Sequence, residues 1–172
     1  MSRKTLTLKL TVAGAFVAGA LVACAVGGVA LRDSRATPPS EEGFTPTPLA
    51  RAVLKQDINT RAETDDWQIE LKTRGESEVF FTHFKLAPGA HGGWHSHPGP
   101  SIIAVKSGTA TFYDDCVDPN IPQRFPAGTG FVEDAGCVHI LVNEGDVDLE
   151  VVVMQIVPKG ATRRIDEADP RD

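Results

Sequence analysis

Apolar and polar residues alternate in short runs from Leu49 onward, and no stretch repeats apolar residues three and four positions apart for the length of a helix. Successive side chains of a β-strand point to opposite faces, so alternation over about four to eight residues is typical of a half-buried strand. Glycine-containing turn sequences, such as Pro88-Gly89 and Ser107-Gly108, separate many of the runs. The pattern predicts an all-β sandwich or barrel, with strands at 49–54, 67–73, 78–86, 94–97, 101–106, 109–114, 123–126, 130–133, 138–143 and 149–157.

The 172 residues are enough for one domain with short extensions at both ends. The 16 glycines and 12 prolines suit a fold with many turns. Residues 36–48 are rich in Pro, Ser and Thr and are predicted to be a linker, with the domain at residues 49–160. Residues 161–172 are predicted to be a flexible C-terminal tail, because no large apolar residue follows Ile165.

Residues 1–35 predict a signal peptide or an N-terminal membrane anchor, because basic residues precede an uncharged apolar run over residues 10–31. As a helix this run would measure about 33 Å, enough to cross a bilayer core of about 30 Å, so cleavage and retention both stay open. The segment Leu-Val-Ala-Cys ending at Cys24 also resembles the lipobox of bacterial lipoproteins, in which the cysteine is lipidated. All three outcomes predict an extracytoplasmic protein, secreted or anchored to the outer face of the cytoplasmic membrane through its N-terminus only.

The charge of the chain argues against nucleic acid as a partner. The net charge is −6, and the first 35 residues hold five basic residues against one acidic residue, so the acidic excess lies in the body. An acidic surface repels phosphate backbones, and no basic patch with interleaved aromatic residues is present in the sequence. A small molecule is the expected ligand or substrate.

Three histidines form a candidate metal site. His95 and His97 are two residues apart in a predicted strand, so their side chains project from the same face and can reach one ion. His139 lies in a second glycine-flanked strand. Neutral imidazole is the commonest protein metal ligand. The alternative is that all three are hydrogen-bonded core histidines.

The histidine segments resemble the two sequence motifs of the cupin superfamily. The first motif, G(X)5HXH(X)3–4E(X)6G, matches in every spacing, but Ser101 replaces the glutamate. The second, G(X)5PXG(X)2H(X)3N, also matches throughout, with Asp134 in place of the proline. The matching positions are Gly89, His95, His97 and Gly108 in the first motif and Gly128, Gly136, His139 and Asn143 in the second.

The resemblance implies a double-stranded β-helix, a jelly-roll barrel, that binds a divalent metal through His95, His97 and His139. Fe, Zn and Mn are the candidate metals. A site of three histidines without a carboxylate leaves coordination positions open, which implies a small-molecule dioxygenase or isomerase. The alternative is a non-catalytic ligand- or sugar-binding module whose metal is structural or absent. Members of the superfamily often dimerise through edge strands, so a homodimer is also expected.

Other residues are assigned less specific roles. His91, Ser101 and Asn143 are candidates for the pocket or for contacts with the metal ligands, and Glu133 is expected on the rim of the barrel. Cys116 and Cys137 are predicted to form a disulfide, as suits an exported protein. The rival interpretation is a free Cys137 thiol on the same strand face as His139, close to the metal.

Overall fold

The computed structural model describes residues 35–172. The predicted leader and the lipidation site at Cys24 lie outside the described residues. Within the described part of the chain all regular structure is β-strand, which confirms the all-β prediction. No helix long and apolar enough to cross a membrane occurs between residues 35 and 172.

The described residues form twelve strands. Their bounds are β1 Phe44–Leu54, β2 Asn59–Glu63, β3 Gln68–Lys72, β4 Ser77–Leu86, β5 His95–Ser96, β6 Ser101–Ser107, β7 Thr109–Asp114, β8 Gln123–Pro126, β9 Gly130–Glu133, β10 His139–Val142, β11 Leu149–Pro158 and β12 Ile165–Asp166.

Two five-stranded antiparallel sheets make up the body. One sheet has the order β1-β4-β11-β6-β9, and the other has the order β12-β5-β10-β7-β8. Strands β2 and β3 form a separate hairpin whose residues are all exposed. The core cluster is composed of small and branched apolar residues from both five-stranded sheets, among them Leu86, Ile103, Ala110, Leu141 and Val151. Alternation along the strands buries these residues and leaves their neighbours in solvent, as in β6.

The local pattern locates most strands correctly, but it misses two of them. Strand β2 has the polar sequence Asn-Thr-Arg-Ala-Glu, which carries no apolar alternation because the hairpin covers no core. Strand β12 is only two residues long, and it exists because it pairs with β5.

The C-terminal segment is ordered by the body, contrary to the prediction of a flexible tail. Ile165 and Asp166 pair with Ser96 and His95 in β5. The Ser96 hydroxyl donates to Glu167 Oε1 at 2.9 Å, and the Glu167 amide donates to the Trp94 carbonyl at 3.0 Å. The lack of large apolar residues did not predict the order of this segment, because backbone and polar side-chain hydrogen bonds attach it to the body.

The predicted linker at residues 36–48 also packs on the domain. Strand β1 begins at Phe44, and its first residues pair with the end of β4. The Thr37 amide donates to the Glu167 carbonyl at 2.8 Å, and the Ser40 amide donates to the His91 carbonyl at 3.0 Å. The proline-rich composition therefore marks the start of an edge strand, where a missing N–H is tolerated.

Cys116 and Cys137 are joined in a disulfide, so Cys137 is not a free thiol beside the histidines. The bridge connects the loop after β7 with the residues just before β10. The Val138 amide also donates to Asp115 Oδ1 at 2.8 Å, and the Asp115 amide donates to the Val138 carbonyl at 3.0 Å. This bracing fixes the chain immediately before His139.

Removing the bridge in a Cys116→Ser/Cys137→Ser variant should lower the free energy of unfolding by about 3 kcal/mol, the chain-entropy value for a closed loop of this length. Urea unfolding followed by circular dichroism measures the change. The comparison is with the oxidised and the chemically reduced wild-type chain, and the reduced chain should match the variant. An unchanged urea midpoint in the variant would show that the crosslink does not contribute to stability.

Candidate metal centre

The three candidate histidines meet where the second sheet faces the first. His95 lies in β5, His97 follows it directly, and His139 begins β10 opposite His95 in the strand register. Potential ligand atoms of all three rings lie within 4.8 Å of one another. Strand pairing therefore assembles in space a cluster that is separated by some forty residues of sequence.

Hydrogen bonds select one tautomer for two of the rings. His95 Nδ1 lies 2.8 Å from the Gly93 carbonyl oxygen, and His97 Nδ1 lies 2.6 Å from the Arg163 carbonyl oxygen. A carbonyl oxygen only accepts, so each Nδ1 carries a proton and donates it. In the neutral ring the lone pair is then on Nε2, and this arrangement is typical of histidines that bind metals.

Backbone geometry at Gly93 supports this arrangement. Gly93 has a φ of 71°, a left-handed conformation that a side chain would strain. A Cβ atom there would also collide with the Thr37 carbonyl. A glycine is therefore needed for the carbonyl of residue 93 to reach His95 while the N-terminal segment passes close by.

His139 provides the clearest sign of an absent partner. It is fully buried, with 0% exposure, and its Nε2 has no hydrogen-bond partner among the described residues. The nearest carboxylate oxygen recorded for that nitrogen, Glu133 Oε2, lies 3.7 Å away. A buried polar atom left unpaired costs roughly 1–3 kcal/mol. A metal ion at the centre of the cluster would satisfy it, so the residues fit a divalent ion.

The protonation state of the cluster also suits a metal. Burial lowers the pKa of His95 to about 3, with further lowering from the nearby His139 and Arg164. Burial likewise lowers the pKa of His139. Both rings are therefore neutral near pH 7, the form that donates a lone pair to a metal.

Glu133 lies inside the site, so its predicted place on the rim is wrong. It ends β9, is 6% exposed, and its Oε2 lies 3.5 Å from His97 Nε2. Burial opposes the charged form, but the contact with His97 and the neighbouring imidazoles lower the pKa of the Glu133 carboxyl to about 2. The site contains an ionised carboxylate after all.

The carboxylate stands beside the position where the motif leads one to expect it. Ser101 begins β6 and is the register partner of Glu133 in β9. Directly paired residues of an antiparallel sheet have their side chains on the same face, with Cβ atoms about 5 Å apart. Ser101 is fully buried, and its hydroxyl oxygen accepts a weak hydrogen bond from Gln155 Nε2 at 3.4 Å. Glu133 thus occupies the neighbouring place in the same row.

A cavity of about 300 Å³ opens onto this cluster. His95, His97, Ser101 and Glu133 line its polar end, and His139 is buried behind them. The apolar part of the lining comes from β1, β4, β10 and β11, with Phe44, Pro46, Pro48, Phe84, Leu141 and Val153. The size and lining are those of a small-molecule site.

Two predicted pocket residues lie elsewhere. His91 Nδ1 accepts from the Gly93 amide at 3.1 Å, within the loop before β5. The Asn143 amide group donates to the carbonyls of Leu86 and Val147 at 2.8 Å each, and this fixes the turn after β10. Neither side chain lines the cavity. Their contribution to the site is structural.

A second group of potential ligands lies around the disulfide, at Asp114, Asp115, Cys116 and Cys137. Its sulfurs are consumed in the bridge, and both aspartates accept backbone N–H bonds. The histidine cluster is therefore the candidate metal centre.

Comparison with known proteins agrees with this architecture. Residues 82–155 match the cupin domain family model. Similar solved structures include a conserved protein of unknown function from Streptococcus pyogenes (20% identity, 70% of this chain and 80% of that one, TM-score 0.46). A predicted oxalate decarboxylase from Thermotoga maritima (26% identity, 49% and 83%, TM-score 0.41) and a cupin domain from Bordetella pertussis Tohama I (19% identity, 66% and 93%, TM-score 0.43) are also similar. No curated protein matches the chain.

The family match and the two five-stranded antiparallel sheets confirm the expected double-stranded β-helix. The family match contains the three histidines and Glu133 but ends before the C-terminal segment. That segment nevertheless supplies the carbonyl that orients His97.

Replacing Glu133 by glutamine removes the charge and keeps the shape of the side chain. We expect the Zn(II) affinity of the Glu133→Gln variant to fall about ten- to a hundred-fold, as for other groups that support metal ligands. Isothermal titration calorimetry measures it. The double variant Glu133→Gln/Ser101→Glu returns a carboxylate to the register partner and should recover much of the loss. Equal affinities of the wild type and Glu133→Gln would remove Glu133 from the metal site.

Proposed function

Because residues 82–155 form a cupin domain, we propose that the protein binds one divalent metal ion through His95, His97 and His139 and acts as a dioxygenase on a small molecule. The observation that carries the proposal is the buried ring of His139, whose two nitrogens have no hydrogen-bond partner among the described residues. It lies beside two rings whose Nδ1 protons are already committed to backbone carbonyls.

The donor set narrows the choice of metal. Three imidazoles with a carboxylate nearby suit Fe, Mn or Zn, and a site with a carboxylate is less typical of Cu. When bound, such an ion supplies Lewis acidity and open positions at which a small molecule can be polarised or brought together with O2. Redox chemistry requires Fe or Mn, since Zn has no accessible second oxidation state.

The residues of the cavity favour oxygenation over isomerisation. Glu133 is the one carboxylate among the described residues that line it, and no Asp, Lys, Tyr or Cys accompanies it there. An isomerase that moves a proton between two atoms commonly needs two acid–base groups or one group that reaches both atoms. Glu133 instead lies beside His97, with Oε2 at 3.5 Å from Nε2, where its ionised carboxylate can support the metal ligands. The apolar wall excludes water from the bound molecule.

We also propose that the protein works outside the cytoplasm. The basic and apolar sequence of residues 1–31 has the form of an export signal or anchor. The Cys116–Cys137 disulfide supports the same location, because such bridges persist mainly in oxidising compartments. Mass spectrometry of the mature N-terminus would distinguish a cleaved, a lipidated and a retained leader.

Alanine substitution of His139 should abolish stoichiometric metal binding, because the ring supplies a buried ligand that no neighbour replaces. Metal content after loading with Fe(II), Mn(II) or Zn(II) and dialysis, determined by inductively coupled plasma mass spectrometry, tests this. His83→Ala is the matched control, since His83 lies in β4 and contacts Glu150 at 2.9 Å rather than the cluster. One tightly held ion per chain in His139→Ala would overturn the metal assignment.

Activity is tested with the metal-loaded chain and an oxygen electrode. The Fe(II)- or Mn(II)-loaded protein should consume O2 with at least one member of a panel of thiols, diketones and phenols, and His97→Ala should not. Metal binding without O2 consumption, but with conversion of a substrate to its isomer, would assign an isomerase. Ligand binding that persists without metal and without turnover would favour the non-catalytic binding module.

A further inference from the structure

Arg164 lines the cavity and has one buried hydrogen-bond donor without a partner among the described residues. It lies between β11 and β12 and lines the same cavity as His95 and His97. Its Nε donates to Asp166 Oδ1 at 2.6 Å. Its Nη2 is buried and has no hydrogen-bond partner among the described residues. One edge of the guanidinium is thus paired, and the buried edge is not.

The free edge of Arg164 differs from the guanidinium of its neighbour. Arg163 lies over the Phe80 ring at 3.9 Å from the centroid, and its Nε donates to Gln155 Oε1 at 2.9 Å. Its carbonyl accepts from His97. Arg163 is thus held by Phe80 and Gln155, whereas Arg164 has a buried donor, Nη2, without an acceptor among the described residues.

A buried guanidinium N–H without an acceptor is costly, more so than a neutral donor, and the group is always charged near neutral pH. Its planar fork matches a carboxylate, to which charge-assisted bonds are strong. Asp166 neutralises it only in part, because the Asp166 side chain is 50% exposed and its charge is screened by solvent. An anionic group of a bound molecule would complete the pairing.

The rest of the cavity specifies what the anion is attached to. The wall that includes Phe44, Phe84 and Val153 is apolar, and the cavity of about 300 Å³ is near the lower end for small-molecule sites. Burial of a ring or branched chain against these residues would be favourable, at about 25 cal/mol for each Å² of apolar surface. A small dianion such as oxalate would leave this wall without contacts.

We propose that the ligand is a small monocarboxylate with an apolar body of about one ring, whose carboxylate binds the Arg164 guanidinium while its body packs on Phe44 and Phe84. The inference deepens the proposed function by naming its substrate class. It assigns Arg164 as a specificity-determining residue that lies outside the segment matched by the cupin family.

The test compares three probes by calorimetry on the full chain: 4-fluorobenzoate, its neutral analogue 4-fluorobenzamide, and acetate. ¹⁹F NMR gives a second measurement for the two fluorinated probes. Each is titrated into metal-free protein prepared with a chelator and into Zn(II)-loaded protein. In both forms we expect 4-fluorobenzoate to bind at least ten-fold more tightly than either other probe. The amide reports the contribution of the charge, and acetate reports the contribution of the apolar body.

Arg164→Gln should remove the preference for the carboxylate over the amide, and Arg164→Lys should retain part of it because the charge remains and the fork is lost. Arg124→Gln is the control, since Arg124 is in β8 and pairs with Glu144 on the surface. Thermal unfolding checks that the variants fold. Should Arg164→Gln fail to fold, a several-fold weaker preference in Arg164→Lys than in the wild type carries the same information.

The outcomes separate this inference from the proposed function. Carboxylate preference that depends on Arg164 in metal-free protein supports the inference even if His139→Ala and the wild type bind metal alike. A second outcome is a carboxylate preference that appears only with Zn(II) and persists in Arg164→Gln. This result would place the anion on the metal and would overturn the inference. Equal binding of benzoate and benzamide by a protein that holds metal also overturns it, with the metal site intact.

Discussion

One hydrogen bond, from His97 Nδ1 to the main-chain carbonyl of Arg163 at 2.6 Å, joins the parts of the site that are most distant in sequence. At the histidine it fixes the proton on Nδ1 and leaves Nε2 for the cluster. At the arginine it holds the segment between β11 and β12, and that segment places Arg164 against the cavity. Without β12 the His97 ring would lose its orientation. Without the ring the Arg163 carbonyl would keep only the longer, 3.4 Å hydrogen bond from Gln155 Nε2. The metal ligands and the C-terminal segment therefore depend on each other.

Strand register explains how the site keeps a carboxylate although Ser101 stands where the family motif has glutamate. Gln155, Ser101 and Glu133 are successive register partners across β11, β6 and β9, so they form one row on the inner face of the first sheet. His95 and His139 form a corresponding row in the second sheet. The two rows meet at the candidate metal site. The ligands available to a metal there depend on which side chains the rows contain, and less on which strand carries each side chain. Moving the carboxylate by one strand keeps it within reach of His97 and changes the direction from which it approaches.

The sequence predicts what depends on local pattern and fails where distant strands decide. Strands β7, β8 and β9 have the predicted bounds, because alternation and turn residues specify them directly. The three histidines are predicted because their spacing belongs to a motif. Glu133 is misplaced on the rim because its burial results from pairing with a strand about thirty residues away. The segment from Arg163 to Glu167 is misjudged for the same reason. Its order comes from backbone bonds to β5 and Trp94, and no apolar pattern records them.

The charge of the cavity lining is opposite in sign to the net charge of the whole protein. The chain has a net charge of −6, yet Arg163 and Arg164 lie on the cavity wall and Glu133 is the one carboxylate among the described lining residues. Long-range attraction does not favour delivery of an anion to this site, because exposed charges are screened beyond about 8–10 Å and the net charge is negative. Recognition must come from short-range contacts where water is excluded and a guanidinium hydrogen bond is strong. A site of this kind discriminates through the stability of the bound complex more than through the rate of encounter. The residues of the two sheets and of the C-terminal segment that line the cavity provide the short-range contacts that this requires.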